Sequence, residues 1–110
     1  MLIVRATYTR PSLDVSYIQD VEGVNDVWRA FLATYIDAGK VTYPPDRRVP
    51  TDDDLQMVIT SHWRSAADNI EFLSEEVEHQ YKAPHNKYLK EHGITVTYSR
   101  ELVYDELDVE

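Results

Sequence analysis

The sequence predicts an α+β domain: an antiparallel sheet with helices on one face, its elements in the order β-α-β-β-α-β. Three observations carry this reading. Between Asp54 and Glu78 the hydrophobic period changes once, from that of a strand to that of a helix. Alternating stretches near both ends, 2–9 and 94–99, have the period of strands with one apolar face. Between the first of these and Gly39 lies a broad apolar stripe at helical spacing.

Taken in order, Leu2, Val4, Ala6 and Tyr8 fall on one side of the first strand, and Ile3, Arg5, Thr7 and Thr9 on the other. Arg10-Pro11 ends it, because proline has no amide to give to a ladder. Leu13, Val15 and Tyr17 alternate, so Ser12 to Asp20 is expected to be a short extended piece. After Gly23 and Asn25, the residues Val24, Val27, Trp28, Phe31, Leu32 and Tyr35 form the core-facing stripe of a helix. Gly39 and Lys40 stop it. Val41 to Tyr43 is expected to be a short strand, and the proline- and aspartate-rich stretch 44–54 a loop or an irregular hairpin with a weak edge strand.

In the central unit, Leu55, Met57, Ile59 and Trp63 alternate as on a half-buried strand. Ala66, Ile70, Leu73 and Val77 then recur three or four apart, which assigns them to the buried face of a helix. Ser65 stands at the switch with Asp68 three residues on, a hydroxyl cap followed by an acid in the first turn. The helical pattern runs on to Tyr81, and Pro84 breaks or restarts it. A short extra helix from His85 to His92 ends at Gly93, with Lys87, Lys90 and His92 near its negative end. Ile94, Val96 and Tyr98 open a last strand that extends toward Leu102 and Val103. The whole is one domain, 1–104, with an acidic tail at 105–110.

This order is that of a ferredoxin-like domain. Its helices cover one side of the sheet, leaving Ile3, Arg5, Thr7, Gln56, Val58, Thr60, His62, Thr95, Thr97 and Ser99 on the other. Such a face is too apolar for a free surface, so a homodimer through the open sheet face is expected.

Composition narrows the function. Twenty acidic against eleven basic residues give a formal charge of −9, the wrong sign for nucleic acid or an anionic membrane surface. The absence of cysteine removes disulfides and thiolate chemistry. The apolar run before Arg5 is short for a secretory signal, and no stretch reaches membrane-spanning length, so a cytoplasmic protein is expected. No nucleotide fingerprint, nucleophile elbow or metal-binding helix motif occurs, and no cofactor is expected.

The junction Trp63-Arg64-Ser65, a strand ending in Trp and a helix opened by Ser, resembles the W-x-S junction of the dimeric α+β barrel superfamily, which includes the antibiotic-biosynthesis monooxygenases. The resemblance implies two ferredoxin-like sheets packed open face to open face. Haem-degrading members use an Asn on the first strand, the junction Trp and a His further along the helix. Trp63 matches the middle position, Thr7 stands nearest the first, and Phe72 and Leu73 occupy the region of the third. Neither haem chemistry nor cofactor-free oxygenation therefore carries over residue by residue. Arg10-Pro11 with a following Tyr, and Gly93-Ile94 after a preceding Tyr, also resemble small proteins of marine phage and metagenomic origin.

Candidate site residues follow from position. His62 is the one imidazole on a predicted strand, facing away from Trp63; it is either a general base or a group bonded within a subunit interface. His85 and His92 could share a helix face, but they lack the i, i+4 spacing of a metal pair. Asp52-Asp53-Asp54 lacks the glycine and the later Glu of a calcium loop, so no metal site is expected. Eight tyrosines and two tryptophans are many for this length. Tyr8, Trp28, Tyr35, Trp63 and Tyr98 either fill an aromatic core or line a cleft between sheet and helices. The first arrangement suits a non-catalytic homodimer of structural or regulatory role. The second suits a monooxygenase-like enzyme for an aromatic small molecule, with Trp63, Tyr8 and Tyr98 shaping the cleft and His62 or Arg5 supplying polarity.

Overall fold

The computed structural model describes residues 1–21, 23–24, 26–43, 52–79 and 83–103, apart from the side chains of 76–79. Strand β1 (Leu2–Thr9) is central, and the sheet order is β2-β3-β1-β4. Strand β2 is Val41–Thr42, β3 is Gln56–Trp63 and β4 is Thr95–Leu102. Every pairing is antiparallel. Helix α1 (Asp26–Asp37) joins β1 to β2, while α2 (Ala66–His79) and α3 (Ala83–His92) join β3 to β4.

The register fixes two faces. Leu2 lies between Trp63 and Leu102, Val4 between Ser61 and Arg100, Ala6 between Ile59 and Tyr98, and Tyr8 between Met57 and Val96. These rows face the helices. On the other side, Ile3 lies between His62 and Glu101, Arg5 between Thr60 and Ser99, and Thr7 between Val58 and Thr97. The open face expected from alternation is therefore the one observed, because a strand period of two leaves no third choice.

Local chemistry explains where the helices stop and start. Gly39, at φ +73°, ends α1: its amide donates to Ile36 O and the Lys40 amide to Tyr35 O. That pair of bonds needs a left-handed residue, and only glycine adopts it without cost. Gly93 ends α3 at φ +67°, with the Ile94 amide reaching back to Leu89 O. At the start of α2, the Asp68 amide donates to Ser65 Oγ at 3.1 Å. Arg64 holds the Asp68 carboxylate with two bonds of 2.8 and 3.1 Å. Pro84 lies in the first turn of α3, where its missing amide costs nothing.

The core divides in two. One cluster gathers Leu2, Val4, Leu32, Tyr35, Val41, Trp63 and Phe72; the other gathers Tyr8, Tyr17, Ile18, Met57, Leu89 and Ile94. Phe72 is the hub of the first. Its ring centroid lies 5.0 Å from Phe31, 5.1 Å from Tyr35 and 5.2 Å from Trp63.

Three sequence expectations are corrected. Ser12 to Asp20 is not extended: it is a turn region ending in a 3-10 turn, Ile18–Asp20. Tyr17 and Ile18 are adjacent and both buried, which no strand with one free face allows. On α2, Ile70 is 63 % exposed, while Phe72 and Asn69 are buried. The buried face runs through Ala66, Asn69, Phe72 and Leu73, because the aromatic hub draws Phe72 inward and turns Ile70 out. On α1, Val27 is 59 % exposed although it belongs to the apolar stripe, which is wider than the surface it covers. The expected loop over 44–51, the helical run to Tyr81, the lead-in residue Asn25, the Val77 side chain and the acidic tail lie outside the described residues.

Candidate functional site

The two core clusters do not close on each other. Between them, under α1 and α2, lies a cavity of about 220 Å³. Its floor is the middle of the sheet, where Ala6 and Ser61 are the small residues of the helix-facing rows. A longer side chain at either position would fill this space; the cavity therefore follows from residue size. Trp28 from α1 and Phe72 from α2 form its roof, with Tyr8 and Trp63 along the walls. Tyr98 and Arg100 stand at the β4 side, where the strand's inner face is exposed to solvent.

The walls are positioned by buried hydrogen bonds. Trp63 Nε1 donates to Ser61 Oγ at 3.1 Å, and Ser61 Oγ donates to Val4 O at 3.4 Å. Tyr8 Oη lies 3.0 Å from His85 Nε2, and the buried His85 ring also stacks on Trp28. His85 Nδ1 lies 3.2 Å from Asn86 Oδ1. Tyr8 and Trp28 thus meet the cavity on one side and share an imidazole on the other. Beyond Phe72, the Tyr35 hydroxyl donates to Glu75 at 2.7 Å and Glu71 at 2.9 Å. Burial, reinforced by these two carboxylates, pushes the Tyr35 phenol far above its ordinary range. Glu71 is held below the usual carboxylate range by Lys40 and by that same hydroxyl.

Polar groups at the cavity are few. The Gln19 side-chain oxygen is buried and has no hydrogen-bond partner among the described residues. Asn69 is buried on α2 and lines the same space. Arg29 and Arg100 also line it. Among the described residues its lining includes no carboxylate and no imidazole.

The five candidate residues from the sequence separate by face. Tyr8, Trp63 and Tyr98 come together at this cavity. His62 and Arg5 lie on the open face, and Arg5 Nη1 is 3.1 Å from Glu101 Oε2 there. Within one protomer the sheet itself separates them from Trp63. Gln19, Arg29, Asn69 and Arg100 escaped sequence reasoning, because nothing in their spacing marks them. Ala6, a small side chain in the middle of the central strand, was the available signal. His85 and His92 do not pair: His92 is exposed, stacks on Tyr88 and meets the Tyr88 carbonyl through Nδ1.

The fold is ferredoxin-like. A dimeric ferredoxin-like protein from an uncultured marine organism aligns with a TM-score of 0.68 over 96 % of this chain and 97 % of its own, at 11 % identity. A second dimeric ferredoxin-like protein of such origin aligns at a TM-score of 0.51 and 12 % identity over 96 % of both chains. A protein described as an antibiotic biosynthesis monooxygenase from Deinococcus radiodurans aligns over 100 % of this chain and 99 % of its own, with a TM-score of 0.52 and 14 % identity. No family model and no curated protein matches the chain. At these identities the likeness is one of ferredoxin-like fold, and the chemistry of the cavity rests on this chain's own residues. Among the described residues, no helix is long and apolar enough to cross a membrane.

Proposed function

We propose that this chain is a homodimeric small-molecule-binding domain, each protomer taking an aromatic ligand between its sheet and its helices. The cavity of about 220 Å³ between the two core clusters carries this reading. An apolar cavity of about 150 Å³ accepts benzene, so this one has room for a substituted ring. Its aromatic walls offer stacking and edge contacts, and its polar groups are few, as in pockets that bind by shape. Dimerisation is supported by the open face, where Ile3, Val58 and threonine rows are covered by no helix, and by the two fold neighbours described as dimeric.

The cavity favours binding over acid-base catalysis, because its described lining brings no imidazole or carboxylate to a ligand. A second reading, monooxygenase-like chemistry, is supported by the Tyr8–His85 bond, which places a titratable ring one hydrogen bond behind the wall. Two fold neighbours named as antibiotic biosynthesis monooxygenases are consistent with it by analogy alone.

Ala6→Leu tests the binding reading. It extends into the cavity from the sheet, so the variant should keep its fold and lose affinity for phenol, measured by calorimetry against the parent. Equal phenol binding by both proteins would place the ligand elsewhere.

A further inference from the structure

The described arginines fall into two groups. Arg5, Arg10 and Arg64 each sit within 3.1 Å of a carboxylate, on Glu101, Asp54 and Asp68. Arg29 and Arg100 do not: among the described residues neither has a carboxylate partner, and both line the cavity. In a chain of net charge −9 with 20 acidic residues, an arginine without an acid is the less expected arrangement. Two at one cavity, with no acid in its described lining, reverse the sign of the molecule locally. The register holds Arg100 there, since it pairs with Val4 and shares its helix-facing side with Tyr98 and Leu102. Arg29 is held by a different contact, donating through Nη2 to the Gln19 carbonyl at 3.0 Å.

Aromatic walls set the middle of a ligand in this space, and the arginines set one pole. The Gln19 side-chain oxygen is sealed off from the cavity as well as from bulk water, so it offers a ligand no contact.

Resting on the small-molecule reading above, we infer that the ligand is a planar aromatic carboxylate, a substituted benzoate being the simplest case. The carboxylate meets Arg100 and Arg29, where a guanidinium can donate two parallel bonds. Cationic aromatics are excluded by the same two charges, which gives the cavity selectivity as well as affinity.

Calorimetric titration with four single-ring probes tests this: 4-hydroxybenzoate, benzoate, 4-hydroxybenzyl alcohol and 4-hydroxybenzylamine. 4-Hydroxybenzoate should bind roughly tenfold more tightly than the alcohol, the value of one charge-assisted bond, and the amine should bind most weakly. Arg100→Gln combined with Arg29→Gln should bring acid and alcohol to equal affinity. Both arginines are exposed, so circular dichroism of the double variant should match the parent. Equal binding of acid, alcohol and amine by the parent would overturn the inference and leave the binding cavity standing. Failure of all four to bind would overturn the cavity reading itself, and this inference with it.

Discussion

Trp63 ties the sheet edge to the aromatic core. It ends β3, pairs with Leu2 and with Val41 across the sheet, donates to Ser61 and packs against Phe72 and Tyr35. It is 2 % exposed. Replacing such a ring removes its transfer free energy and leaves a hole, so Trp63→Ala should destabilise by roughly 3–5 kcal/mol. The measurement is a urea midpoint. A midpoint equal to the parent's would mean that the ring lies against solvent rather than against Phe72. Its position was legible in the sequence, because a strand terminus before Ser65 is marked by both period and cap. Its neighbour Ser61 was not: a serine on an alternating strand carries no sign that it will receive an indole N–H.

At the scale of elements, α2 shows how far periodicity goes. Ile70 fits the helical stripe of Ala66, Leu73 and Val77, yet it is exposed, while Phe72 is the aromatic hub. Two helix faces about a third of a turn apart both carry apolar residues, and spacing alone does not rank them. Packing does: a ring that meets Phe31, Tyr35 and Trp63 at once gains more than an isoleucine on a sheet rim. Phe72→Ala should therefore cost roughly 3–5 kcal/mol, and Ile70→Ala should stay within about 0.5 kcal/mol. Equal losses in thermal or urea unfolding would restore the face read from spacing.

The cap of α2 carries a pH dependence. Arg64 first, then Ser65, holds the Asp68 carboxyl below its ordinary value, although burial opposes them. A depressed folded pKa means that Asp68 stabilises the fold above its unfolded pKa of about 4 and stops doing so as pH falls through the folded value. Asp68→Asn should thus be less stable than the parent at pH 7, and the gap should narrow from about pH 4 downward. Urea midpoints at both pH values check the sign. A gap that widens on acidification would show that the carboxylate is not the stabilising form.

For the whole molecule, the proposed dimer turns on the open face. Along that face Ile3 pairs with His62, Arg5 with Thr60 and Thr7 with Val58. Two copies packed across a two-fold axis would cover these rows with one self-complementary patch. A lysine at Val58 would put a charge into that contact, so Val58→Lys should convert dimer to monomer in light scattering at matched concentration. The parent's net charge of −9 adds long-range repulsion that salt screens beyond roughly 8–10 Å. Dimerisation should accordingly tighten from low to physiological ionic strength. A parent that scatters as a monomer at high concentration and moderate salt would sink the homodimer.

What the sequence determined by itself was the set of elements and their faces. Alternation has a period of two and a strand only two sides, so Leu2, Val4 and Tyr8 could face only the helices once Ile3, Arg5 and Thr7 faced away. Gly39, Gly93 and Ser65 set boundaries through local chemistry that needs no partner in space. The tertiary structure alone decided the rest. It bent Ser12 to Asp20 into turns, because Tyr17 and Ile18 both had to reach one core from adjacent positions. It also made the cavity, which exists because Ala6 and Ser61 are diagonal neighbours on adjacent strands, Ala6 opposite Ile59 and Ser61 opposite Val4. Arg100 stands far beyond Gln19 and Arg29 in the chain, and only the tertiary fold brings the three to one space.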